Sequence, residues 1–257
     1  MLSVTPILQT QRDLFAIPSG PARFHRYLAV MTGGTDDVVL PLQSLNPAGK
    51  AHVAEALDAL IAIGAEEIAA QAVAETIAAT ATAVEAEPHL KSLEANLRVA
   101  LVVADDVAGG WTNRELIEAR RMCTVPKAMI RRGWMVVVYW ASEPVTRQKV
   151  REEVLTTLYR DAYLMRRGEP KTLRDVMALE GAALAFAGAS EPWLSAEDLE
   201  YTRDVIQVYL DAPVFEEFPT VFACMYGDEA ARRVGYPALG FSRRAGCAVA
   251  LAATFAS

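Results

Sequence analysis

Two apolar runs constrain this chain more than any other feature: Leu97 to Ala104 (LRVALVVA) and Trp134 to Trp140 (WMVVVYW). Valine-rich runs of this length, without alternating polar residues, suit strands covered on both faces, as in a parallel sheet. Parallel neighbours need a crossover, and the residues between the runs supply one. Asp105-Asp106 and Gly109-Gly110 end the first strand. Thr112 and Glu115 form a Thr-x-x-Glu capping box for a helix carrying Leu116, Ile117 and Met122, which Pro126 interrupts and Gly133 closes. The segment is therefore predicted to be one βαβ unit.

Helical signals dominate elsewhere. A short helix is expected at Leu8 to Phe15, and Pro21 opens another to Met31. Val38-Val39-Leu40 is a short strand candidate. Asn46 and Pro47 suit the N-cap and first position of a helix that carries Val53, Leu57, Leu60, Gly64 and Ile68 at three-to-four spacing, runs to about Thr82 and can break at Gly64. Val84 to Pro88 reads as an acidic linker. Val145 to Arg167 is a further helix, and Thr172/Asp175 and Ser195/Asp198 cap helices that run to about Ala187 and Asp211. Another is expected over Pro219 to Val234, before an apolar tail. The predicted architecture is a helix-rich α/β fold, with a small, mostly parallel sheet containing one βαβ unit (97–140) among many helices. One domain over 1–257 is expected, with a possible division into a helical region 1–88 and an α/β plus helical region 89–257.

Composition narrows the function classes. The chain is 53% hydrophobic and 22% charged, enough for a substantial core, and much of the apolar content is helix-favouring alanine. No secretory signal is recognisable, and no apolar run approaches the roughly 18–20 residues that cross a bilayer. Cys123, Cys224 and Cys247 form no CxxC pair and suit buried, reduced thiols. A cytoplasmic protein without a membrane partner is expected. The net charge of −7 argues against a nucleic-acid partner. That charge is unevenly spread: residues 35–106 hold 12 acidic side chains against 3 basic, and residues 111–174 hold 14 basic against 7 acidic. Such asymmetry suits solvated helix faces, an anionic ligand or complementary subunit contacts.

The signatures GxGxxG, Walker A, HExxH and GxSxG are absent. His25, His52 and His89 are scattered; His52 and Glu55 share a helix face, too common a pair to indicate a metal, and no metal is expected. No cofactor is indicated. The richest segment is Asp105 to Arg114 (DDVAGGWTNR), which leaves a strand end and enters a helix, where ligands of open α/β sheets bind. Asp105, Gly109, Gly110, Trp111, Thr112, Asn113 and Arg114 are candidate ligand-binding residues: glycines allow close approach, helix amides and Arg114 attract an anion, and Trp111 stacks or closes the pocket. The same residues also suit a strand stop, a turn, a cap and a core plug. Ser142, a further ligand candidate, follows the second strand with Glu143, and Asp106 and Glu143 are the candidate acid and base. A small anionic molecule is the expected partner. The alternative is a non-catalytic scaffold that forms a homo-oligomer through alanine-rich helices and the apolar segment Ala245 to Ala256.

Overall fold

A computed structural model of the chain describes residues 2–82, 90, 96–107 and 112–256, the side chains of 81 and 82 excepted. The predicted linker at 84–88 lies outside them. Both apolar runs are strands, β2 (Arg98–Ala104) and β3 (Trp134–Trp140), and they pair in parallel from Arg98↔Trp134 to Ala104↔Trp140. The third strand of the sheet is a two-residue segment, β1 (Ser3–Val4), also parallel to β2, giving the order β1-β2-β3. β2 is therefore central, and its residues from Val99 to Ala104 are fully buried. That burial explains its unbroken apolar sequence.

The chain forms two compact units, Met1–Arg114 with Pro126–Leu158, and Glu115–Val125 with Tyr159–Ser257. The first holds the sheet with helices α1 (Leu8–Leu14), α2 (Pro21–Thr32), α3 (Ala51–Ala62), α4 (Ala65–Thr82) and α6 (Lys127–Arg131). Val53, Leu57 and Leu60 on α3 are completely buried, as their spacing predicts. Helix α5 (Arg114–Cys123) lies almost wholly in the second unit, and α7 (Arg147–Arg167) passes from the first unit to the second after Leu158.

The second unit is helical: α8 (Leu173–Phe186), α9 (Ala196–Ile206), α10 (Phe218–Tyr226), α11 (Asp228–Arg233) and α12 (Ala245–Ala256). Thr172 and Asp175 form the predicted capping box, and Ser195 caps α9 through Asp198 N–H. Helices α8 and α12 pack closely at Gly181, where an added Cβ would lie 2.3 Å from the Ala250 carbonyl oxygen. The apolar C-terminal segment is thus part of this core, with Ala245, Cys247, Ala248 and Leu251 fully buried. The interior also holds charge: the Arg160 guanidinium donates to both oxygens of Glu180, which has no exposed surface. Asp161 is buried with its Oδ2 unpartnered, and burial raises its pKa against the opposing pull of Arg121 and Arg160.

Four local expectations are corrected. Val38 to Leu40 is not a strand: the Val39 and Leu40 amides both donate to the Met31 carbonyl and close the end of α2. Asn46 is not a helix cap. Its Oδ1 accepts from Ala48 N–H in a turn, its amide is used elsewhere, and α3 starts only after Lys50. Thr112 stands two residues before α5 and donates its hydroxyl to the Asp105 carbonyl rather than starting the helix. The single helix expected over Pro219 to Val234 is two, because Gly227 takes φ 86 between α10 and α11. A Cβ there would meet the Ser242 carbonyl oxygen at 2.2 Å, so glycine is required twice over.

Candidate functional site

β2 and β3 end side by side, so the residues just past them share one edge of the sheet in the first unit. Asp105 and Asp106 follow β2, and Ser142 and Glu143 lie just beyond β3. Successive side chains of extended backbone point to opposite sides, and the two aspartates accordingly serve different partners.

Asp105 is 2% exposed and turns to the segment that leads into α3. Its carboxylate accepts from Asn46 Nδ2 at 2.9 Å and Val107 N–H at 3.2 Å, and faces His52 Nε2 at 2.7 Å. A buried carboxylate needs such partners. The imidazole is fixed by this contact while its side chain remains 24% exposed. With a carboxylate as acceptor, Nε2 is the donor in this contact.

Asp106 accepts from the Ser142 amide at 3.0 Å and from the Ser142 hydroxyl at 2.5 Å. Arg114, the first residue of α5, lies 3.6 Å from Asp106 and is in direct contact with Glu143 through Nη2. Its guanidinium also stands 5.6 Å from the ring centroid of Trp140. Lys149 on α7 reaches Glu143 at 3.8 Å and Glu153 at 2.7 Å. Burial pulls the Lys149 pKa down, but Glu153 and Glu143 outweigh it and hold the ammonium above its ordinary value. The result is a continuous ionic chain of Asp106, Arg114, Glu143, Lys149 and Glu153, with Ser142 hydrogen-bonded to its first member.

The fold thus brings together Asp106, Arg114, Ser142 and Glu143, and places Asp105 at the same strand end but on a second cluster. Thr112 ties the loop to Asp105, and Asn113 sits half-buried directly before α5. Gly109, Gly110 and Trp111 lie outside the described residues. Sequence reasoning did not find Asn46, His52 or Lys149 as partners. The Asp105 contacts with Asn46 and His52 span 59 and 53 residues, and neither partner stands in a local motif.

Charge asymmetry along the chain is also resolved inside the first unit. Arg132 pairs with Asp37 at 2.6 Å, Arg151 with Glu75 at 2.6 Å, and Arg114 with Asp106, so the basic stretch neutralises part of the acidic one. The three cysteines are buried, and burial pushes each thiol up to about 12. They are inert as nucleophiles at neutral pH. No helix among the described residues is long and apolar enough to cross a membrane. Compared with protein-family models, with curated proteins and with solved structures, the chain returns no match.

Proposed function

We propose that the protein is an acid–base enzyme acting on a small molecule at the carboxyl edge of β2 and β3, with His52 as the proton-transfer group. The observation that carries this reading is the 2.7 Å contact between His52 Nε2 and buried Asp105 at a strand end. A buried carboxylate holds the imidazole in one tautomer and stabilises the imidazolium formed when Nδ1 takes a proton from an acidic C–H or O–H of the substrate. Asp105 keeps its negative charge throughout and is a positioning residue.

Asp106 and Glu143, the carboxylates expected to act as acid and base, are engaged by Ser142 and by Arg114 and Lys149. They support a different task. An anionic group on the substrate is received by Arg114 in place of Glu143, which turns to Lys149, already 3.8 Å away. This keeps every charge at the edge paired before and after binding. The alternative of a homo-oligomeric scaffold rested on alanine-rich helices and on Ala245 to Ala256, and of these the segment from Ala245 to Leu251 is spent on internal packing.

A thermal-shift screen of carboxylated and phosphorylated metabolites tests the proposal. A ligand at 100 times its Kd adds about 2.7 kcal/mol of stability to the wild-type chain. Hits are expected to perturb the His52 imidazole NMR signals and to be converted by wild type, with His52→Gln binding but not converting them. If no hit moves the His52 signals, or His52→Gln turns hits over at the wild-type rate, the assignment fails.

A further inference from the structure

The second unit holds a cavity of about 520 Å³ lined by Leu184, Trp193, Leu194, Ser242, Arg243 and Arg244, far in sequence from any residue of the sheet edge. Its polar wall is a constrained loop. One Asp228 oxygen accepts from the amides of Leu239 at 2.8 Å, Gly240 at 3.1 Å and Phe241 at 3.1 Å. Asp228 N–H donates to the Phe241 carbonyl, and Arg244 N–H donates to the Tyr226 carbonyl. With Gly227 packed directly on Ser242, the backbone from Leu239 to Arg244 has its position set from several sides.

Arg244 is held in an unusual state. It is the only non-glycine among the described residues with left-handed backbone, at φ 54, a conformation that side chains other than Asn and Asp seldom adopt. Its guanidinium carbon lies 5.7 Å from the Trp193 ring centroid and 5.9 Å from that of Tyr226, Glu118 and Glu180 act on its charge, and its Nε is buried without a hydrogen-bond partner. A buried unpaired donor and a strained backbone are both costly, and such features persist where a bound group uses them. Arg243, beside it, is exposed. Trp193 leaves 47% of its surface uncovered on the cavity wall.

We propose that this cavity is a binding site for a small aromatic carboxylate. The carboxylate meets Arg243 and Arg244, with the Ser242 hydroxyl as a further donor, just before the positive end of α12. The aromatic body lies on the exposed indole of Trp193 between Leu184 and Leu194. Two guanidinium groups without an apolar wall would suit a bare phosphate, and a leucine-lined slot without arginines would suit a neutral ring. The cavity supplies both halves, and its volume falls in the range of small-molecule sites.

Calorimetric titration of the full chain with trans-cinnamate, cinnamyl alcohol and inorganic phosphate tests this. Cinnamate is expected to saturate one site, with the alcohol and phosphate each binding at least about tenfold more weakly. Arg243→Gln and Trp193→Ala, both at exposed positions, are each expected to weaken cinnamate by about tenfold, and Arg114→Gln, at the anion-receiving position of the sheet edge, to leave it unchanged. Equal affinity for cinnamate and its alcohol, wild-type affinity in both Arg243→Gln and Trp193→Ala, or loss of binding in Arg114→Gln would overturn the proposal. The last control also separates this site from the proposed enzyme site.

Discussion

The sheet edge of the first unit and the helical interior of the second both gather charged side chains, but they treat them in opposite ways. At the edge, Arg114, Glu143 and Lys149 keep 17%, 17% and 24% of their side-chain surfaces exposed, and each carboxylate or cation has more than one partner available. In the interior, Glu180 is wholly buried and bound to one guanidinium, and Asp161 has an oxygen with none. A network with alternative pairings near solvent can exchange one partner for a ligand at small cost. A dry pair cannot, because separating it strands a charge in a low-dielectric environment. The difference separates charge arranged for exchange from charge locked into the fold.

The sharpest way to break this contrast is Glu180→Leu. It removes the bidentate acceptor of the Arg160 guanidinium, and is expected to cost about 3–5 kcal/mol by urea denaturation, most of it recovered in the Arg160→Met/Glu180→Leu double variant. A loss below about 1 kcal/mol would make the interior pair equivalent to a surface one. Gly181→Ala tests the packing around it. Alanine ordinarily favours a helix interior by about 0.5–1 kcal/mol, but here its Cβ meets the Ala250 carbonyl, so a net loss of about 1–3 kcal/mol is expected.

At the edge, Asp105→Asn is expected to cost about 1–3 kcal/mol, since the Asn46 amide and the His52 ring lose a buried charged acceptor. His52→Gln, removing only the partly exposed partner, is expected to cost at most about 1 kcal/mol in denaturation while abolishing turnover. Asp161→Asn has the smallest effect at low pH and a growing one above it. The folded-state pKa of Asp161 is raised, so its proton is bound more tightly in the native state. Wild-type stability relative to the variant is therefore greatest below the usual carboxylate value of 3.8 and falls as pH rises through the raised one. A difference between the two proteins that is flat with pH would show that Asp161 ionises as freely as an exposed carboxylate.

Much of the fold was legible because the deciding signals are local. Valine-rich runs gave β2 and β3, three-to-four spacing gave α3 and α4, and Thr172/Asp175 and Ser195/Asp198 marked helix starts through chemistry contained in four residues. β1 was not legible: two residues carry no periodicity, and Ser3–Val4 is a strand only because β2 offers it an edge. Val38 to Leu40 has strand composition, but its amides are claimed by Met31. The same limit applies to the site. Adjacent ends of parallel strands put Asp106, Ser142 and Glu143 near one another, which a sequence can suggest. That Arg114 bridges Asp106 and Glu143, and that Asp105 turns to His52, depends on which long-range partner each side chain meets. Asn46 shows the ambiguity most clearly, since the same amide chemistry suits a helix cap, a turn and a carboxylate partner.

The order in which the chain visits its two units has a consequence for how it is made. It leaves the first unit after Arg114, lends α5 to the second, and returns at Pro126. Ala119, Met122 and Cys123 on α5 are buried against a core whose other members, from Leu173 to Ala250, are synthesised later. On the ribosome, the first unit can close once Leu158 has emerged, while the apolar face of α5 waits uncovered until α12 arrives. A fragment ending at Leu158 inherits that exposed face permanently, so it is expected to self-associate in proportion to concentration, and replacing residues 115–125 with a short polar connector is expected to cure it.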